Sequence, residues 1–320
     1  MGRKVLENIS MGMSWTTYAG SVHGVLQGAG LWNDSVEMLM GMTGMAFHFI
    51  VHNRTCTSSV TVYDWAAEHF AMMDRIGVYS ESTLVENSGG LNTFEKARSM
   101  AVERVKESID KGIGVVVWAP TPVLEFGIIN GYDDEDEVFF VIDCMNENPD
   151  PLLYSNLGKS EVPVLFIQRF YERVNVDSER IFRDSLNFGV YQWERESVIP
   201  MYGSGRKGYL NLINALEKKD FFPFGLVYLL AVYADSKRNI DFYLKYIVSK
   251  SRYLKGLNEA SEIYAGIKDK YSEITELAPF RGPGQGDLDE KNIKPVLKLI
   301  KDCFDLEEKA MGIIKTSLDD

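Results

Sequence analysis

Hydrophobic and polar positions divide the chain into two parts. Up to about residue 180 helical and strand patterns are mixed, and from about 205 onward the periodic stretches are almost purely helical. The first helix is predicted from about residue 17 to 30. Gly20, Gly24 and Gly28 recur at four-residue spacing on one of its faces. A glycine inside a helix costs roughly 1 kcal/mol against alanine, so three on one stripe need an offsetting gain. Close approach of another backbone supplies it, so this helix is expected to be buried against a sheet or another helix. Further helices are predicted over 34–42, 64–75 and 93–111, the last starting at Asn92 or Thr93, with Glu95 in its first turn, and stopping at Gly112.

Strands are predicted at 114–118, 123–130, 138–143 and 162–168. The acidic stretch 131–137 separates two apolar runs, which is a hairpin signal. Tight connections favour an antiparallel sheet over alternating βαβ units. The stretch 201–205 has the composition of a loop, and 279–286 another. Helices are predicted near 206–218, 223–235, 239–249, 252–274 and 290–317. The fold class is therefore α+β, an antiparallel sheet packed on a buried N-terminal helix (domain 1–195), followed by an all-helical domain (200–320).

Composition narrows the function classes. Acidic residues outnumber basic ones 46 to 34, giving a formal net charge of −12, and no Lys/Arg run stands out. Nucleic acid and anionic membrane are therefore not expected as partners. The start of the chain has neither a signal-peptide core nor a myristoylation pattern, and no apolar run is long enough to span a membrane. Cys56, Cys144 and Cys303 are far apart and form no CxxC pair, as expected of reduced thiols in a cytoplasmic protein.

Three groups of residues could carry chemistry. If the hairpin turn centres near Asp134, Glu125 faces Asp143 across two otherwise apolar strands. Cβ atoms about 5 Å apart would make these carboxylates repel, so one titrates high or a cation or donor lies between them. Such a pair can act as acid and base or orient a ligand; alternatively one member points to solvent at a strand edge. The second group opens the glycine-striped helix: Trp15, Thr16, Thr17 and Tyr18. A helix N-terminus stabilises an oxyanion or thiolate, but threonine is also a preferred cap and needs a strong neighbouring base to become a nucleophile. The third is the histidine set His23, His48, His52 and His69. His48 and His52 have metal-ligand spacing, yet no Glu follows His48 to complete a zinc-protease motif. Satisfied, partly buried histidines are the expectation, with no metal and no cofactor. Cys144 follows Asp143 and by strand alternation points to the opposite face.

These residues carry a family resemblance. The helix starting near Thr17, the stretch Gly28-Ala29-Gly30-Leu31-Trp32-Asn33-Asp34-Ser35-Val36-Glu37, the Gly-rich segment ending at Phe47, and the strand pair Glu125–Asp134 and Phe139–Asp143 with its Gly-Tyr-Asp-Asp turn resemble the papain-like fold. The likeness is to its bacterial, bacteriocin-processing branch and to the butirosin biosynthesis protein H N-terminal family. The helical region after about 200 resembles the extension in those relatives. The resemblance implies a Cys opening the helix, a His before the turn, and an Asp or Asn on the next strand that orients the His. Thr17 (or Thr16) stands at the Cys position and Glu125 at the His position; Asp143 alone matches. It further implies that Trp15, Thr16, Tyr18 and Phe126 line the substrate site.

Three functions follow as expectations. The first is a catalytically degenerate papain-like protein binding a small molecule, peptide or carrier-borne acyl group in a cleft between its domains. The second is an active acyltransferase or amide/thioester hydrolase, with Thr17 as nucleophile and Glu125/Asp143 as base pair. The third is an oligomeric interaction protein, a homo-oligomer using its helical surface. A thiolate–imidazolium pair cannot form from Thr and Glu, which favours the first.

Overall fold

The structure, a computed structural model, describes residues 2–195, 199–254, 256–282 and 284–319. It is mixed α+β, with an antiparallel sheet and a helical C-terminal region. In chain order its elements begin with β1 (Arg3–Val5), α1 (Thr17–Gly28), α2 (Val36–Met42), β2 (Ile50–His52), α3 (Trp65–Arg75) and β3 (Val78–Glu86). Next come α4 (Phe94–Asp110), β4 (Val115–Trp118), β5 (Phe126–Asp133), β6 (Val138–Ile142), β7 (Leu152–Leu153) and β8 (Val164–Arg173). The remainder is α5 (Ser178–Glu194), β9 (Tyr202–Ser204), α6 (Gly205–Lys218), α7 (Pro223–Lys250), α8 (Leu257–Leu277) and α9 (Glu290–Asp319).

Contacts gather these elements into two units. One holds residues 1–39 and 64–175, the other 40–63 and 176–320. The division after Asn175 is earlier than the 195–200 boundary read from composition, because α5 packs on α6 and α9.

In the first unit the sheet order is β3-β8-β4-β5-β6-β7, with β1 added against β5. The pairings are antiparallel. The four strands expected from the sequence are β4, β5, β6 and β8. Alternation along them supplies two apolar faces. One face, with Val115, Val117, Ile129 and Ile167, packs against Val102, Val105 and Ile109 of α4. The other presents Phe126 and Phe166 to Tyr18 of α1 and His69 of α3. Helix α1 packs on β4 and β5, as its predicted burial requires.

The second unit departs from the expected pattern in two places. Residues 202–204, read as loop, form β9 and pair with β2. Residues 223–250 form one helix rather than two. The polar run Asp235–Asn239 suggests a break, yet Lys237 is buried and its Nζ donates to Glu307 Oε1 at 2.6 Å. Tyr209 donates to Glu307 Oε2 at 2.6 Å and Tyr264 to Oε1 at 2.9 Å. A paired charge can lie inside a helix bundle, so polarity there does not mark a helix end.

Candidate functional site

The glycine stripe sets the position of α1. A Cβ on Gly20 would stand 2.5 Å from Gly12 O, one on Gly24 2.1 Å from Ser10 O, and one on Gly28 2.7 Å from Ile9 Cγ1. The backbone of residues 8–12 thus lies directly on the stripe, and the Gly12 N–H donates to Gly20 O at 2.9 Å. The close approach is made by this preceding segment rather than by another helix or a strand.

Threonine 16 is the N-cap residue of α1, in extended conformation, but its side chain makes no capping hydrogen bond. Thr17 is the first helical residue and is buried. Its Oγ1 donates to Glu125 Oε2 at 2.6 Å and accepts the Phe126 N–H at 3.2 Å. The helix start and the beginning of β5 are therefore joined through one hydroxyl. A carboxylate at this end of α1 is favoured by the helix dipole.

Asp143 is placed differently from expectation. The predicted pairing of Glu125 directly with Asp143 is not formed. Ile128 pairs with Ile142 and Ile129 with Val141, and an irregularity between Ile129 and Gly131 shifts the register from that of the Tyr132–Phe139 end. Strand β6 ends at Ile142. Continued one step, this register would set Asp143 level with Gly127, two residues along from Glu125 on the same face. The Asp143 carboxylate is instead saturated locally: Oδ1 accepts the Met145 and Asn146 N–H groups, both at 2.7 Å, and Oδ2 accepts the Thr121 hydroxyl at 2.7 Å.

Cys144 corrects a second expectation. Alternation does not govern it, because the strand has ended, and its thiol is near enough to both carboxylates to feel them. Cys144 is exposed as a residue, but partial desolvation of its thiol first, then the charges of Glu125 and Asp143, push the thiol up to about 11. The signal was present in the sequence: Asp143-Cys144-Met145-Asn146 is a run that turns through Asp side-chain bonds to its own backbone. Nothing in the sequence singled out Thr121.

The other expected lining residues divide. Trp15 is 39% exposed, whereas Tyr18 and Phe126 are buried, with ring centroids 5.3 Å apart. Tyr18 donates to Gln168 Oε1 at 2.7 Å and stacks on His69 at 3.5 Å. These two rings are core partners beneath the site. Met13 and Met145 are exposed at 89% and 61%.

The histidines are dispersed. His23 Nε2 lies 3.0 Å from Asp34 O. His48 sits among Tyr63 and Phe188. His52 Nδ1 accepts the Arg54 N–H at 3.0 Å, and burial lowers its pKa. Among the described residues no group of three or more His, Cys, Asp or Glu side chains is placed to hold a metal ion. Among the same residues no helix is long and apolar enough to cross a membrane. Two shallow depressions in the first unit, of about 300 and 350 Å³, lie at Asn8–Ser10 with Trp32 and at Tyr79–Thr83 with Arg104; neither is lined by Thr17, Glu125 or Asp143.

No protein-family model matches the chain, and no curated protein matches it.

Proposed function

We propose that this chain is a catalytically degenerate papain-like protein, similar to the butirosin biosynthesis protein H N-terminal family, that binds a small molecule, peptide or carrier-borne acyl group beside Thr17, Glu125 and Asp143. The observation that carries the proposal is the Thr17–Glu125 hydrogen bond at 2.6 Å. It joins the two positions that the resemblance assigns to nucleophile and base, and it joins them with groups that cannot form an ion pair with each other. A carboxylate is a weak base toward a threonine hydroxyl. Asp143 has no imidazole to orient, and it is held by Thr121 and two backbone amides. The one thiol beside these groups is kept protonated at neutral pH.

The site holds two carboxylates, and Met13, Trp15 and Met145, near Thr17 and Asp143 in sequence, are exposed. It suits a ligand that combines hydrogen-bond donors or an amine with an apolar portion. Saturation-transfer NMR with hexylamine and with hexanoate tests this. Transfer to hexylamine that Glu125→Gln abolishes, with none to hexanoate, is the expected result. Equal transfer to both, or to neither, counts against the assignment.

A second reading has one observation in its favour. The same hydrogen bond is the geometry in which a base receives the proton of an attacking hydroxyl. In that reading Thr17 Oγ1 attacks an acyl carbon, Glu125 takes its proton, and the leaving amine or thiol recovers it. The pH dependence and Thr17→Ala sensitivity of any turnover separate the two.

A further inference from the structure

The depression of about 350 Å³ at Tyr79–Thr83 belongs to the edge of the sheet. Strand β3 is nine residues long and stands at the end of the strand order, paired on one side with β8. An edge strand leaves a row of backbone N–H and C=O groups open to another extended chain. Five consecutive β3 residues, 79–83, line the depression. Consecutive strand residues point to opposite faces, so the hollow follows the strand edge itself.

The two sides of this edge differ chemically. On the α4 side, Glu81 is fully engaged: Oε2 accepts from Arg169 at 3.0 Å and from Tyr171 at 2.6 Å, and Oε1 from Tyr79 at 3.1 Å. Arg169 also reaches Glu107 at 3.3 Å, so its charge is balanced. The Arg104 guanidinium donates to Thr83 Oγ1 at 2.9 Å and is near enough to Glu81 to help lower that carboxylate's pKa, without forming a direct ion pair with it. On the other side stands Phe70 of α3, 45% exposed.

We infer that the β3 edge binds an extended peptide by strand addition, with an acidic side chain of the peptide on Arg104 and its alternate apolar side chains toward Phe70. Guanidinium–carboxylate pairing supplies selectivity at one position, and main-chain bonds supply affinity along the rest.

The probe is a fluorescein-labelled hexapeptide of alternating glutamate and valine, followed by anisotropy against the full chain. Controls are the lysine-for-glutamate peptide and a glutamate peptide N-methylated at every second residue. The glutamate peptide is expected to bind, Arg104→Gln to weaken it about tenfold or more, and Phe70→Ala to weaken it as well. The lysine and N-methylated peptides are expected not to bind. Equal binding of the glutamate and lysine peptides, undiminished binding of the N-methylated one, or indifference to Arg104→Gln would each overturn the inference. So would sedimentation showing a wild-type dimer that the peptide cannot dissociate.

Discussion

Replacing Gly24 by alanine tests how α1 is held in place. Taken alone, the change should stabilise the helix by about 1 kcal/mol. The surroundings reverse that sign. The new Cβ would lie 2.1 Å from Ser10 O and 3.0 Å from Ser10 C, where ordinary contact begins at 3.4 Å. Both atoms are backbone, so no side chain can rotate away, and the segment 8–12 or the helix has to move. Overpacking of this kind costs about 1–3 kcal/mol, and a rigid neighbour places it toward the upper end. A net loss of about 1–2 kcal/mol is therefore expected. The same substitution at Gly266, in α8, meets nothing within 4 Å. There the propensity gain of about 0.5–1 kcal/mol stands alone. Thermal unfolding followed by circular dichroism should show Gly24→Ala lowered by about 2–8 °C and Gly266→Ala raised by about 1–4 °C. A Gly24→Ala variant as stabilised as Gly266→Ala would contradict the close contact of α1 with residues 8–12.

Further outcomes concern buried charge and titration. Lys237→Met leaves Glu307 buried with tyrosine donors alone, and urea unfolding should show a loss of about 3–5 kcal/mol; a change under 1 kcal/mol contradicts the pairing. Tyr209, Tyr264 and Tyr271 are held well above the usual phenol value by burial, with Glu307 nearby adding to it. The folded state therefore keeps protons that the unfolded state releases above pH about 10, so stability is unaffected by these groups below that pH and falls above it, by up to about 1.4 kcal/mol per pH unit for each tyrosine. Unfolding midpoints that rise between pH 10 and 11 would contradict this. Alkylation of Cys144 by iodoacetamide, followed by mass spectrometry, should rise with pH toward a midpoint near 11, and Glu125→Gln should lower that midpoint by removing a repelling charge. A midpoint unmoved by Glu125→Gln would separate the thiol from the carboxylate.

Much of the framework was legible because periodicity and composition agreed. The stripe Gly20-Gly24-Gly28 has few explanations other than close backbone approach, and the hairpin at 131–137 is flanked by apolar runs too regular to be loop. Three features were not legible, each for a physical reason. Strand β3, Val-Tyr-Ser-Glu-Ser-Thr-Leu-Val-Glu, lies at an edge, so its outer positions are polar and its apolar positions too few to mark it. The β5–β6 register depends on an irregularity at Asn130 that adds no hydrophobic signal, so Glu125 and Asp143 were brought level when they are not. Lys237 reads as a helix break because its partner Glu307 is 70 residues away. The candidate site shows the same division. Thr17 meeting Glu125 follows from which elements come together, whereas Thr121 donates to Asp143 from the segment between β4 and β5, which carries no periodic signal.

A search for an acyl group on Thr17 separates a degenerate site from an active one. The purified chain would be incubated with the N-acetylcysteamine thioester of hexanoic acid, and intact mass, peptide mass and thiol release would be followed beside Thr17→Ala. No adduct on Thr17 and the same slow thiol release from both proteins are expected. A hexanoyl-Thr17 peptide, or thiol release that Thr17→Ala abolishes, would contradict a degenerate site.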